Sequence, residues 1–176
     1  MPDFTIGAGH RVRLAGPMIT SIRSSSKTQH HRPVSSDERT AELSEIELPA
    51  DLFYTPEHEW VQRLGPSSVR VGITDYAQAQ LGDVVFVQLP SVGDDVTAGS
   101  SMGEVESTKS VSDVFAPLTA KVIAVNEVLE ADPEKVNSGP YTDGWLVELE
   151  VSSVEVLDAA VSEMLDADGY AAITTE

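Results

Sequence analysis

Gly103-Glu104-Val105-Glu106-Ser107-Thr108-Lys109-Ser110-Val111-Ser112-Asp113-Val114 is the stretch on which the reading of this chain turns. β-forming residues stand at both ends and small polar residues crowd the middle. That pattern predicts strand, hairpin and strand, with Lys109 at or near the tip and its amine in water. An exposed, transiently neutral lysine amine is a good acyl acceptor, and its four-carbon stem lengthens any arm joined to it. Spacing alone also suits a plain turn lysine that blunts the edge of a hairpin. Lysine is scarce in the neighbourhood: beyond residue 47 only Lys109, Lys121 and Lys135 occur.

Outward from the hairpin, the chain reads as short β-rich runs broken by turn residues. Glu59 to Leu64 alternates and stops at Gly65-Pro66, and Ser68 to Ile73 alternates cleanly. Val84 to Leu89 is a β-branched run ended by Pro90, and Ser91 to Asp95 is a turn cluster. Val114 to Ala116 ends at Pro117, and runs over Lys121–Val125 and Trp145–Val151 complete the set. Many short strands with Gly and Pro turns indicate a mainly β sandwich or barrel.

Helices are few. Thr74 or Asp75 can cap the segment Tyr76–Leu81, with Gly82 as its stop. Asp132 can cap a turn that opens with Pro133. Val154, Leu157, Val161 and Leu165 recur at helical spacing, which predicts an amphipathic helix over about 153–165, ended by Asp166 to Gly169. Tyr170 to Ile173 is long enough for one more turn.

Composition sets limits. There are 176 residues, 41% of them hydrophobic, and no cysteine, so disulfides and thiolate chemistry are excluded. The net charge of −18 is uneven. Residues 1–36 hold five basic side chains and one acid, which leaves the remainder at net −22. An acidic body repels nucleic acid and anionic lipid and suits partners with basic faces, or it serves solubility alone. Residues 1–47 show no lasting period and are expected to be a disordered extension. Their Arg- and Ser-rich start fits either a mitochondrial transit peptide or an upstream extension of a bacterial protein.

No other chemistry stands out. His58-Glu59 lacks the second histidine of H-E-x-x-H, because residue 62 is Gln62, and no metal site is expected. His58 is expected to be a strand residue with one hydrogen bond. Trp60 and Trp145 are expected to be packing aromatics. Asp94-Asp95 and Glu104/Glu106 read as solvated turn acids rather than acid–base pairs.

Five segments together resemble the glycine cleavage H proteins, and in that family's order. Tyr54-Thr55-Pro56-Glu57-His58-Glu59-Trp60-Val61 is similar to its opening H-E-W strand. Val71-Gly72-Ile73-Thr74-Asp75-Tyr76-Ala77-Gln78 is similar to its G-I-T-x-x-A-Q segment, and Leu81 to Pro90 to its L-G-D-x-V-x-V-x-L-P strand. Glu106 to Asp113 resembles the lipoylation motif, and Asn137-Ser138-Gly139-Pro140-Tyr141 with Gly144-Trp145 resembles the closure. The likeness covers about residues 52 to 174 and leans towards actinobacterial members. Biotin carriers place methionine on both sides of the lysine and 2-oxo acid dehydrogenase domains place Asp-Lys-Ala; Glu106-Ser107-Thr108-Lys109-Ser110 resembles neither.

The resemblance implies a flattened barrel-sandwich hybrid of two antiparallel sheets, with a lysine-bearing hairpin, short helices and a C-terminal helical extension. The lipoyl-carrier domain would span 48–176. It implies a shuttle that is not an enzyme, with lipoic acid attached to Lys109. The arm would take the aminomethyl group of glycine from a pyridoxal-phosphate glycine decarboxylase. A tetrahydrofolate-dependent aminomethyltransferase would receive it, and lipoamide dehydrogenase would reoxidise the arm. A lipoate ligase or octanoyltransferase would load Lys109. A relay passing octanoyl or lipoyl groups to 2-oxo acid dehydrogenases is the alternative. Glu106, Ser107, Thr108, Ser110, Asp113 and Glu59 are the candidate residues around the arm. Glu59 could equally be a solvated strand carboxylate and Asp113 an edge charge. Family members often carry histidine where this chain has Tyr76, whose hydroxyl could donate in its place. A monomer in the bacterial cytoplasm is implied, or in the mitochondrial matrix if 1–47 is a transit peptide.

Overall fold

The computed structural model describes residues 47–175. The expected disordered extension therefore lies, but for residue 47, outside the described residues. Nine strands form two antiparallel sheets among those residues. In chain order they are β1 (Phe53–Tyr54), β2 (Glu59–Arg63), β3 (Ser68–Ile73), β4 (Val84–Gln88), β5 (Asp95–Val96), β6 (Ser101–Ser107), β7 (Val111–Phe115), β8 (Ala120–Val125) and β9 (Val147–Glu150). The larger sheet runs β1-β2-β3-β9-β8-β5 and the smaller β4-β6-β7. One core lies between them. Val61, Val71 and Leu149 of the larger sheet share it with Val87, Val105 and Val114 of the smaller. The mainly β, two-sheet expectation is met.

The strands follow from alternation. In β8 Ala120 and Val122 are buried, whereas Lys121 and Ile123 are exposed. β2 departs from it, since Glu59, Trp60 and Val61 are all buried. On its second face Trp60 packs with Tyr54 of the neighbouring β1 and with helix α5 (Ala167–Thr174), whose Tyr170 stacks on Tyr54 at 4.9 Å. Gly72 makes this possible. It pairs with Trp60 across β2–β3, and a Cβ there would come within 2.7 Å of the indole ring.

Helix α1 (Asp75–Leu81) is capped by Thr74, whose hydroxyl accepts from the Ala77 N–H at 3.2 Å. It ends at Gly82, which has φ +79° and donates its N–H to Gln78 O. Helices α2 (Val128–Ala131) and α3 (Lys135–Ser138) are single turns. Asp132 does not cap as expected. It closes α2, and its backbone carbonyl rather than its carboxylate accepts the Lys135 N–H at the start of α3. The C-terminal helix α4 (Val154–Ser162) buries Leu157 and Val161 and stops three residues short of Leu165. Asp166 also differs from expectation. Its carboxylate accepts the Gly169 N–H at 2.8 Å, so it opens α5 instead of ending α4. Leu165 is drawn out of the helix because it exchanges backbone hydrogen bonds with Tyr54. Strands β1 and β5 match none of the runs read from the sequence, and β7 joins the second arm of the expected hairpin to the run that starts at Val114.

Candidate functional site: the Lys109 hairpin and its cleft

The turn between β6 and β7 is built by Ser107. Its Oγ accepts the N–H groups of Lys109 (3.1 Å) and Ser110 (3.0 Å) and donates to Ser110 O (3.1 Å). The tip is tethered from outside, as the Thr108 N–H donates to Asp83 O at 3.1 Å. Lys109 is exposed at this tip, and its side chain lies over Gly82. Asn137 fixes the platform beneath. It donates to Gln78 Oε1 and Gly82 O and accepts the Val84 N–H, each at 2.9 Å. One amide thus ties the end of α1 to the start of β4.

Beside the hairpin is a cleft of about 350 Å³ between the β7 edge, α1 and the start of β2. Ile73, Ala77, Leu81 and Val105 give it an apolar wall; Glu57, His58, Glu59, Tyr76 and Asp113 give it a polar one. Of the candidate residues, Glu59, Ser110 and Asp113 line this cleft. Glu106, Ser107, Thr108 and Lys109 are not part of its lining. Ser107 holds the turn, and Glu106 stands in register between Phe86 of β4 and Val111 of β7. Asp113 accepts from Ser101 Oγ at 2.8 Å.

Glu59 is not a solvated carboxylate. It is 1% exposed, and both its oxygens are engaged. Oε1 accepts the Phe115 N–H at 2.9 Å, and Oε2 accepts the Thr55 hydroxyl. Burial pushes its pKa above the ordinary carboxylate value, against the pull of those hydrogen bonds. Its strand neighbours gave no sign of this, because a carboxylate in an alternating run reads as outward-facing.

His58 precedes β2 rather than lying in it, with φ +79°. Its Nδ1 is hydrogen-bonded to the Tyr170 hydroxyl at 2.7 Å, and that hydroxyl to Thr74 Oγ1 at 2.8 Å. Burial lowers the pKa of His58, and it pushes that of Tyr170 up to about 12. Tyr76 meets His58 ring to ring at 4.9 Å. Trp60 is a core aromatic whose Nε1–H donates to Pro140 O, and Trp145 packs under the Arg70 guanidinium at 4.8 Å. Among the described residues no group of three His, Cys, Asp or Glu is arranged to hold a metal ion. No helix there is long and apolar enough to cross a membrane.

The family model described as "Glycine cleavage H-protein" matches residues 52–176. The chain belongs to the glycine cleavage H-protein family. Among its relatives, the glycine cleavage system H protein of Mycobacteroides abscessus is 68% identical over 124 residues, 70% of this chain and 95% of that protein. The one from Nocardia farcinica is 63% identical over 122 residues, 69% of this chain and 92% of the other. A crystal structure of the glycine cleavage system H protein from Mycobacterium marinum is similar at TM-score 0.63 and 43% identity. That match covers 71% of this chain and 97% of the other. Within the H-protein frame the hairpin, α1 and the closure segment are a single tied unit, held at Asn137 and at Tyr141, whose hydroxyl accepts the Asp75 N–H at 3.0 Å.

Proposed function

We propose that this chain is a lipoyl carrier of the glycine cleavage system, with lipoic acid attached to Lys109, and that it is not itself an enzyme. The observation that carries the reading is the setting of Lys109. An exposed amine sits on a turn locked by Ser107, and the next residue, Ser110, lines an open cleft with one apolar and one polar wall. An aliphatic arm fits the apolar wall, and a cationic group fits the carboxylate wall. When attached, the lipoyl group supplies paired sulfurs that accept the aminomethyl group of glycine and give it up again.

The chain's own residues do the rest. Ser107 and Thr108 hold the lysine clear of the core. Ile73, Ala77, Leu81 and Val105 shed water from whatever lies along them. Glu59 and Asp113 set negative charge at the polar wall, where a nitrogen cation is stabilised. In this reading the carrier visits glycine decarboxylase, aminomethyltransferase and lipoamide dehydrogenase in turn, as a monomer in the cytoplasm.

Intact mass of the protein from its native host, followed by peptide mapping, tests the proposal. A lipoyl increment confined to Lys109 is expected. An octanoyl increment would point to an acyl relay instead. An unmodified Lys109, in cells whose other lipoyl proteins are loaded, would end the carrier reading.

A further inference from the structure

We infer that Tyr170 and Thr74 fix His58 as a neutral imidazole with its proton on Nε2, and that this Nε2–H is the hydrogen-bond donor for the sulfur end of an arm lying in the cleft. The role at the arm rests on the carrier reading; the place of the proton does not.

Proton counting carries the first part of the argument. Thr74 and Tyr170 are both 0% exposed, so neither hydroxyl meets bulk water. Thr74 Oγ1 accepts the Ala77 N–H. Among the described residues, the acceptor left for its own proton is the Tyr170 hydroxyl at 2.8 Å. Thr74 therefore donates to Tyr170, and Tyr170 donates to His58 Nδ1 at 2.7 Å. With Nδ1 an acceptor, the ring proton stands on Nε2. The reverse orientation, from Nδ1–H to Tyr170 and from Tyr170 to Thr74, strands the Thr74 proton in a dry site. A doubly protonated ring likewise leaves one hydroxyl proton without an acceptor.

The surrounding carboxylates give the constraint its purpose. Facing His58 are Glu57 and Glu59 on its own segment, Tyr76 of α1, Tyr170 of α5 and, across the cleft, Asp113 of β7. None of the described residues that line the cleft is lysine or arginine. Beside such neighbours an unconstrained imidazole tends to take a second proton and pair with them. Its charge would then occupy the polar wall. Held neutral, His58 leaves the carboxylates to a nitrogen cation, and its burial acts in the same sense.

Position assigns the donor to sulfur. His58 lines the cleft, its Nδ1 is taken by Tyr170, and its Nε2 has no hydrogen-bond partner among the described residues. Helix α1 sets the scale. Lys109 lies over Gly82 at its C-terminal end, and His58 meets Tyr76 in its first turn. Seven helical residues span about 10 Å, so His58 stands at the end of the cleft away from the lysine. An acylated arm has its amide carbonyl at the root, beside Nζ, and its sulfurs at the far end. Carboxylates accept and do not donate, so they serve the nitrogen. An N–H serves a sulfur, weakly as thiol and strongly as thiolate. Tyr170 and Thr74 act through His58 and are positioning residues.

The first measurement is nitrogen NMR of the full-length unmodified chain, with His58→Gln marking the His58 signals. A neutral Nε2–H ring at pH 7 is expected, with a titration midpoint below the ordinary 6.5. In Tyr170→Phe the midpoint should rise by about one pH unit or more, whereas Thr74→Ser, which keeps the hydroxyl, should leave it in place. An Nδ1–H ring, a ring charged at pH 7, or a midpoint unmoved in Tyr170→Phe overturns the inference. The second measurement uses the chain lipoylated at Lys109 by a lipoate–protein ligase, reduced and then freed of reductant. It follows alkylation of the arm by iodoacetamide against pH. In His58→Phe, which has no donor, the midpoint of that profile should rise by about half a pH unit or more. In His58→Gln, whose amide can still donate, it should rise less. Coincident profiles in wild type and His58→Phe overturn the role at the arm. So does a rate changed equally at every pH, since a merely structural loss would act that way. Lys109 left unloaded by the ligase defeats the carrier reading and the arm role with it, while the NMR result on the unmodified chain stands.

Discussion

The aliphatic end of Lys109 rests directly on Gly82: a Cβ added at residue 82 would lie 2.8 Å from Lys109 Cε and 3.3 Å from Nζ. Gly82 is at once the stop of α1, with φ +79°, and the floor under the exposed amine. The same glycine thus answers to backbone geometry and to the space the lysine needs.

Gly82→Ala should therefore act twice. The backbone at φ +79° and ψ −155° is open essentially to glycine alone and penalises a Cβ by about 1–3 kcal/mol, which lowers the melting midpoint by several degrees or more. The lysine stem, being flexible, swings away rather than breaking the fold. Differential scanning calorimetry and the rate of Lys109 acylation measure the two effects, and a variant equal to wild type in both would remove the contact from the argument.

Lys109→Arg keeps the charge and, on an exposed turn, the fold. The guanidinium accepts no acyl group, so incubation with ligase, ATP and lipoate should leave the mass unchanged. Carrier activity with the three partner enzymes should fall to background. Retained activity would contradict the assignment of the arm to Lys109.

Glu59 makes stability depend on pH in a particular sense. Burial raises its folded pKa above the ordinary 4.5, so the folded chain holds the proton more tightly than the unfolded one. Below 4.5 both states are protonated and the burial penalty is absent. As pH rises through the folded value the carboxylate ionises in place and the penalty reaches its full size. In Glu59→Gln the amide still accepts from Phe115 without that charge. The melting midpoint of the variant minus that of wild type should thus grow as pH rises from 4.5 through the raised folded pKa and level off above it. A difference that is flat in pH would show that Glu59 stays ionised at no penalty.

Tyr170→Phe preserves the stack on Tyr54 but removes the hydroxyl shared by His58 Nδ1 and Thr74 Oγ1. Loss of a buried hydrogen-bonding group should destabilise by about 1–3 kcal/mol. Urea unfolding measures this, and a loss well below that range would show that the two orphaned groups find new partners.

Sequence and structure part company in physically different ways. β3 was legible because Ser68 to Val71 alternate in the sequence as they do in space, although its far end, Gly72 and Ile73, is buried on both faces. α1 was legible at both ends because Thr74 and Gly82 are local signals. Asp132 and Asp166 were misread because an aspartate between two helical turns can close one or open the next, and only the backbone that follows decides. β1 and β5 have two residues each, too few to show a period. At the site, turn chemistry alone marked the hairpin around Lys109. The burial of Glu59 was hidden because what covers it comes from elsewhere in the chain, and the bond from His58 to Tyr170 spans 112 residues.

The order of synthesis adds a consequence to the topology. β9, the last strand to leave the ribosome, lies in the middle of the larger sheet, paired with β3 on one side and β8 on the other. A nascent chain halted before Val147 already contains Lys109, yet its larger sheet is parted down the centre, and one halted before Asn137 also lacks the amide that clamps Gly82 and Val84. Translation therefore delivers the lysine early and the scaffold that presents it late. Only a chain translated through Glu150 holds every strand of the larger sheet, whereas the small sheet that carries the tip is complete at Phe115.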